Sequence, residues 1–341
     1  MILVTGGTGL VGSQILFDLV ASGKKVRALR RKESKMNVVD RLFRNNQEYL
    51  KVIEWLDGDV NDSFSLEEAM NDVDIVFHAA GFISFYPSER NKMFKINIEG
   101  TANMVDMSLK KGVKRFCHIS SVAALGRKAG EKVIDEKSWW KTSSQNSNYA
   151  VSKYGGEREV WRGIEEGLSA FIINPSIILG AGNWKSGSTQ MFSQVWKGMP
   201  FYSDGITGFV DVRDVSKAAI QLMEKGVSNE RFILNSENLS YKHVFELIAE
   251  KFGRSKAKIK VSKWMAEIGW RVEAVKSVFL QSKPMITKET ARNSLMQWFY
   301  SNEKIKKEIG IEFISIDKSV KDVCDRFLEE VNYSANNFIK K

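Results

Sequence analysis

Histidine and cysteine are nearly absent from this sequence, with 3 and 2 residues among 341. Cys117 and Cys324 lie far apart and form no metal-like spacing, and a lone pair builds no disulfide framework. His78, His118 and His243 likewise lack ligand spacing, so no metal site is assigned. Long apolar runs are missing too: none approaches the ~18 residues of a membrane span, and no charged leader precedes Ile2-Leu3-Val4. These absences argue against an integral membrane protein and a disulfide scaffold, and for a soluble protein of the reducing cytoplasm. Internal repeats and low-complexity segments are also lacking.

What is there suffices for a sizeable core: 43% hydrophobic and 11% aromatic residues, in a chain longer than one average domain. The net charge of +10 admits an anionic partner, but the cations are scattered along the chain and read as a solvated surface. No basic stripe alternates with exposed aromatics, so a nucleic-acid module fits poorly.

Short apolar runs alternate with helical stretches over the first two-thirds of the chain. They run from Ile2 to Thr5, Val26 to Leu29, Val52 to Leu56, Ile75 to His78, Arg115 to Ile119 and Ala170 to Ile173. That rhythm predicts βαβ units and a parallel sheet with helices on both faces, an α/β Rossmann doubly wound fold. After Pro175 it fails, but Phe209 to Val212 and Arg231 to Leu234 return to strand character. The expected dinucleotide domain is therefore 1–174 plus about 209–235. A smaller C-terminal substrate-binding domain is expected from about 175–208 and 236–341.

Directly after the first strand comes Thr5-Gly6-Gly7-Thr8-Gly9-Leu10-Val11-Gly12. Glycines at 6, 9 and 12 permit a tight turn, close approach of backbone N–H groups to a pyrophosphate, and close packing of the following helix. Dinucleotide sites commonly carry an acid about 20 residues later, for the adenosine ribose. From Leu19 to Lys32 there is none. The second strand ends instead in Arg30 and Arg31, whose guanidinium groups suit a 2′-phosphate, so NADP(H) is favoured over NAD(H).

Tyr149-Ala150-Val151-Ser152-Lys153 sets a phenol and an ammonium on one helical face. A cation beside a tyrosine favours its phenolate, which lets the phenol exchange a proton with a carbonyl or alcohol oxygen. Ser120 and Ser121 follow a predicted strand at its carboxyl end, where open α/β sheets bind ligands.

This combination resembles the short-chain dehydrogenase/reductase superfamily, and the glycine spacing resembles its extended branch, the NAD-dependent epimerase/dehydratase family. The resemblance extends over nearly the whole chain. It implies that Asp59 and Val60 lie by the adenine, that Ala79, Ala80 and Gly81 pass beside the cofactor, and that Pro175 and Ser176 flank the nicotinamide. Asn174 departs from the pattern, since an arginine often precedes that proline. The same likeness makes Ser121, five residues before Gly126, rather than Ser120, the group that polarises a substrate carbonyl. Tyr149 becomes the proton donor, and Lys153 both holds the nicotinamide ribose and tunes the phenol. Asn97, in Asn97-Ile98-Glu99-Gly100-Thr101, either supports a relay water and the local helix geometry or has no chemical part.

Within the branch, Ser121-Val122-Ala123 stands where dehydratases carry Thr-Asp-Glu. Gly205 to Gly208 offers no cation for a sugar diphosphate, although Arg213 or Arg231 could compensate. The tail, from Pro284-Met285-Ile286-Thr287 through Phe299-Tyr300-Ser301 to Gly310, is similar to the dihydroflavonol reductase and 3β-hydroxysteroid dehydrogenase-like group. The resemblance thus implies an NADPH-dependent reductase of apolar or aromatic ketones and aldehydes. The alternatives are a nucleotide-sugar epimerase with tightly held NAD and a non-catalytic dinucleotide sensor. It also implies a homodimer, through the helix after Asn97 and the helix of Tyr149. Phe82, Ile83 and Phe85 are pocket candidates. The stripe Trp264, Ile268, Val272, Val275 and Phe279 reads first as core packing, with a substrate lid or a membrane-surface face as alternatives.

Overall fold

A computed structural model describes residues 1–126, 133–143, 146–279 and 286–339. Pro284 and Met285, quoted above for the tail, lie outside these described residues. Seven strands form one sheet: β1 (Ile2–Thr5), β2 (Val26–Arg30), β3 (Ile53–Asp57), β4 (Ile75–His78), β5 (Arg115–Ile119), β6 (Ala170–Pro175) and β7 (Glu230–Leu234). Their order is β3-β2-β1-β4-β5-β6-β7 and every pairing is parallel. Because the connections change direction between β1 and β4, a crevice opens there at the carboxyl ends of the strands, the binding place of a doubly wound fold.

Helices cover both faces. On one, Leu66, Met104, Val105 and Val160 pack over Leu3, Val76, Phe116 and Ile172. On the other, the Leu10–Ala21 and Val212–Lys225 helices lie together. Strand β6 is buried at every position, which explains its almost unbroken apolar run, since a central parallel strand has no solvent face on which to alternate.

The chain divides into two compact units. The first comprises Met1–Ser176, Val212–Asn235 and Tyr300–Glu312; the second comprises Ile177–Asp211, Ser236–Phe299 and Phe313–Lys341. One strand differs from the sequence reading. Ile206–Asp211 belongs to the second unit, where it pairs parallel with Ile177–Leu179 and antiparallel with Glu237–Ser240. Its apolar residues serve a separate core, in which Phe209 meets Leu179, Val244 and Ile248. Conversely, Tyr300–Glu312 returns to the first unit, where the Lys304 ammonium donates to the Arg231 carbonyl at 2.8 Å.

A second difference concerns the Trp264 to Phe279 stripe. Core packing is not its fate, because all five side chains lie on the surface of the Lys263–Phe279 helix. The less exposed side carries Ala266, Gly269, Trp270 and Ala274 instead, and this helix packs on Lys288–Asn293. The regular apolar spacing therefore marks the outer face.

Candidate active site

The glycine turn is built by contacts that only glycine allows. Gly6 has φ +69°, and a Cβ there would meet the Ala79 and Ala80 backbone at 2.6 Å. A Cβ on Gly12 would lie 2.2 Å from the Gly6 carbonyl oxygen, while the Gly9 N–H donates to that same oxygen at 2.9 Å. Gly9 is the N-cap of the Leu10–Ala21 helix, and no side chain caps it. The first-turn N–H groups of Leu10 and Val11 thus keep their donor capacity, at the positive end of the helix dipole, for an anion. A pyrophosphate fits this cradle.

At the end of β2 an acid arrives that the linear sequence does not reveal. Arg30 registers opposite Asp57 of β3, and its Nε donates to the carboxylate at 3.1 Å. Arg31 is more exposed and stands 3.5 Å from Glu33. Asp59 follows in a local turn, where its Oδ1 accepts from the Asn61 N–H at 2.9 Å. Val60 is buried, with its carbonyl taking the Asn103 amide at 2.9 Å.

Beside the turn, the backbone of Ala79, Ala80 and Gly81 is held by its neighbours. The Ala79 N–H donates to the Thr5 carbonyl at 3.2 Å and the Ala80 N–H to the Thr5 hydroxyl at 3.2 Å. Thr5 also shares a 2.7 Å hydrogen bond with His78 Nδ1, whose Nε2 meets Thr101 at 3.1 Å. Burial, with the nearby Lys153 charge, lowers the His78 pKa to about 3 and keeps the ring neutral. Among the described residues, no group of three His, Cys, Asp or Glu side chains is placed for a metal.

Ser147 caps the Asn148–Glu165 helix through its 2.9 Å contact with the Ala150 N–H, which sets Tyr149 and Lys153 on successive turns. Ser121 lies near the phenol and favours its ionised form, yet burial outweighs that influence and raises the Tyr149 pKa. Lys153 Nζ donates to the Ile119 carbonyl at 2.9 Å, and burial lowers its pKa to about 8 against the opposing pull of Glu157. In this state the burial of the phenol, rather than a neighbouring ammonium, dominates the Tyr149 titration.

The two serines face different ways. Ser121 receives the Ala123 N–H at 3.1 Å and meets Tyr149, whereas the Ser120 hydroxyl donates to Glu157 at 2.5 Å. Asn174 donates to both the Ser121 carbonyl, at 2.9 Å, and Glu157. Pro175 is buried at the end of β6, and the Ser176 N–H donates to the Leu234 carbonyl at 3.0 Å. Arg231 is spent internally: it donates to the Glu136 and Ser138 carbonyls and stands 3.5 Å from Glu157. Arg231, weighed above as a partner for a sugar diphosphate, thus has internal partners in this structure.

Asn97 pins the local backbone by accepting from the Phe82 N–H at 2.8 Å and donating to the Phe82 carbonyl and to Ser152. Phe85 stands edge-on to Tyr149 at 5.9 Å and supplies an apolar wall; Ile83 is exposed. Glu157 is the residue that sequence reasoning missed. Its signal was its position four residues after Lys153, on the same helical face.

The family model described as NAD dependent epimerase/dehydratase matches residues 2–234. A Synechocystis sp. protein provisionally named dihydroflavonol 4-reductase is 28% identical over 331 residues, 95% of this chain and 93% of its own. Tetraketide alpha-pyrone reductase 2 of Arabidopsis thaliana is 30% identical over 267 residues, 73% of this chain and 82% of its own. The crystal structure of gox2253 superposes with a TM-score of 0.80 at 32% identity, covering 97% of this chain and 98% of that one.

Proposed function

Because the chain belongs to the NAD dependent epimerase/dehydratase family, as an NAD(P)-dependent enzyme of the extended short-chain dehydrogenase/reductase type, we propose that it reduces the carbonyl of an apolar or aromatic ketone or aldehyde. The observation that carries this reading is the meeting of Ser121 with Tyr149, one turn before Lys153, in the unit that holds the glycine cradle. The reductase names of the relatives support the same class of substrate.

The cradle of Gly6, Gly9 and Gly12 would hold the pyrophosphate, and Lys153 the nicotinamide ribose. The bound nicotinamide dinucleotide supplies a hydride. Ser121 donates a hydrogen bond to the carbonyl oxygen, and Tyr149 transfers its phenolic proton to that oxygen as negative charge develops. The raised Tyr149 pKa suits this direction, since the phenol stays protonated at neutral pH. Solvent then returns a proton to the phenolate.

NADP(H) is the proposed cofactor, with Arg31 as the phosphate partner; the Asp57 carboxylate beside Arg30 favours NAD(H) as the second reading. We also read a cytoplasmic homodimer, a compartment compatible with two free, buried thiols. The test is nicotinamide oxidation with NADPH and NADH across aromatic ketones, aldehydes and UDP-sugars. Tyr149→Phe is expected to slow reduction by roughly 10²- to 10⁴-fold with dinucleotide affinity little changed. Undiminished turnover in that variant, or turnover of UDP-sugars alone, rejects the reading.

A further inference from the structure

The cations are scattered along the chain, but its net positive charge falls largely in one stretch that is poor in acids. Between Arg254 and Lys288 the sequence holds 9 basic and 2 acidic residues, hence +7 of the total +10. The same stretch carries the exposed apolar stripe: Trp264, Ile268, Val272, Val275 and Phe279 are 66%, 54%, 58%, 57% and 82% accessible. Their spacing of three and four residues sets them along one face over four turns of the Lys263–Phe279 helix.

Both acids on this helix are engaged by cations on the helix itself, Glu267 by Arg271 and Glu273 by Lys276. Lys256 and Lys260 make ion pairs with Glu250 and Asp204. These are exposed pairs of little energetic weight, so the field around the helix remains positive. Apolar side chains held out in water beside clustered cations suit a surface that is itself apolar inside and negative outside. A cationic patch opposes the close approach of an identical patch, which disfavours a second copy packed stripe to stripe.

We propose that the exposed face of the Lys263–Phe279 helix, with the cations that precede it, docks the protein onto an anionic lipid surface. Trp264, Ile268 and Phe279 enter the boundary between headgroups and acyl chains. Arg254, Lys256, Lys258, Lys260 and Lys263 neutralise lipid phosphates. No helix among the described residues is long and apolar enough to cross a membrane, so attachment is peripheral and reversible.

The test is cosedimentation of the full chain with phosphatidylcholine vesicles, with and without phosphatidylglycerol, at low and high salt. Binding is expected only with phosphatidylglycerol and is expected to weaken as salt rises. The combined variant Trp264→Ser, Ile268→Ser and Val272→Ser should lower affinity at least about tenfold. The variant Lys256→Gln, Lys258→Gln and Lys260→Gln should lower it by roughly fivefold per charge removed. These side chains are exposed and lie outside the catalytic machinery, so dinucleotide binding should be unchanged in both variants and reports intact folding. Absence of binding to anionic vesicles at low salt overturns the proposal, as does binding that survives loss of the stripe. A stripe variant that changes the sedimentation of the free protein without altering vesicle binding also overturns it, and assigns the face to a second copy.

Discussion

Lys153 and Glu157 stand one helical turn apart in the buried centre of the site, and their charges are coupled. Burial lowers the lysine to about 8 while the carboxylate opposes that fall. The ammonium is present below that value and lost above it, so reduction by the wild type should decline as pH rises through about 8. Glu157→Gln keeps the shape and removes the supporting charge, so the falling limb should move to lower pH, by roughly one unit or more. A pH profile of kcat/KM measures this. A limb left in place, with activity merely scaled down, would assign Glu157 a packing role only. The residues joined by local spacing were legible in the sequence: the glycines by their interval, Tyr149 and Lys153 by one turn. Glu157, Asn174 and Asp57 were not, because their meaning comes from partners in distant elements. Ser120 meets Glu157 37 residues away, and Asp57 reaches Arg30 only through strand register.

At the scale of elements, the turn from β1 into the Leu10–Ala21 helix has no slack. Gly12→Ala drives a methyl into the Gly6 carbonyl at 2.2 Å, so the turn must open. Loss of about 1–3 kcal/mol of stability is expected, the scale of overpacking, together with loss of most dinucleotide affinity. Thermal melting with and without cofactor measures both; an unchanged cofactor-induced shift would show that the cradle tolerates the methyl group. Strand rhythm made the sheet readable, because fully buried parallel strands are uniformly apolar. The same rule misassigned Phe209 to Val212, whose first three residues end the Ile206–Asp211 strand of a separate sheet, since apolar runs identify a buried strand and not the sheet that buries it. Periodicity misled likewise at Trp264 to Phe279, where it reports a shared helical face and is silent about whether that face turns inward.

For the whole molecule, the homodimer read above predicts a sedimentation coefficient near that of two chains, independent of concentration across the micromolar range. Its proposed surface, on the Gly100–Lys110 and Asn148–Glu165 helices, is stiffened where Arg162 donates to Asp106 at 2.7 Å and to Glu159 at 2.9 Å. A monomer at all concentrations rejects it. The return of Tyr300–Glu312 to the first unit also bears on how the chain is made. Strand β7 stands at the edge of the sheet, and the segment lying by it holds it through Lys304 at the Arg231 carbonyl and Asn302 at the Asn235 carbonyl. A ribosome releases those partners about seventy residues after the strand itself. During synthesis the dinucleotide unit therefore waits with one sheet edge unguarded until the second unit has emerged. A nascent chain stopped after Leu234 would carry every glycine of the cradle and the Tyr149 helix, yet expose a strand able to pair with another chain.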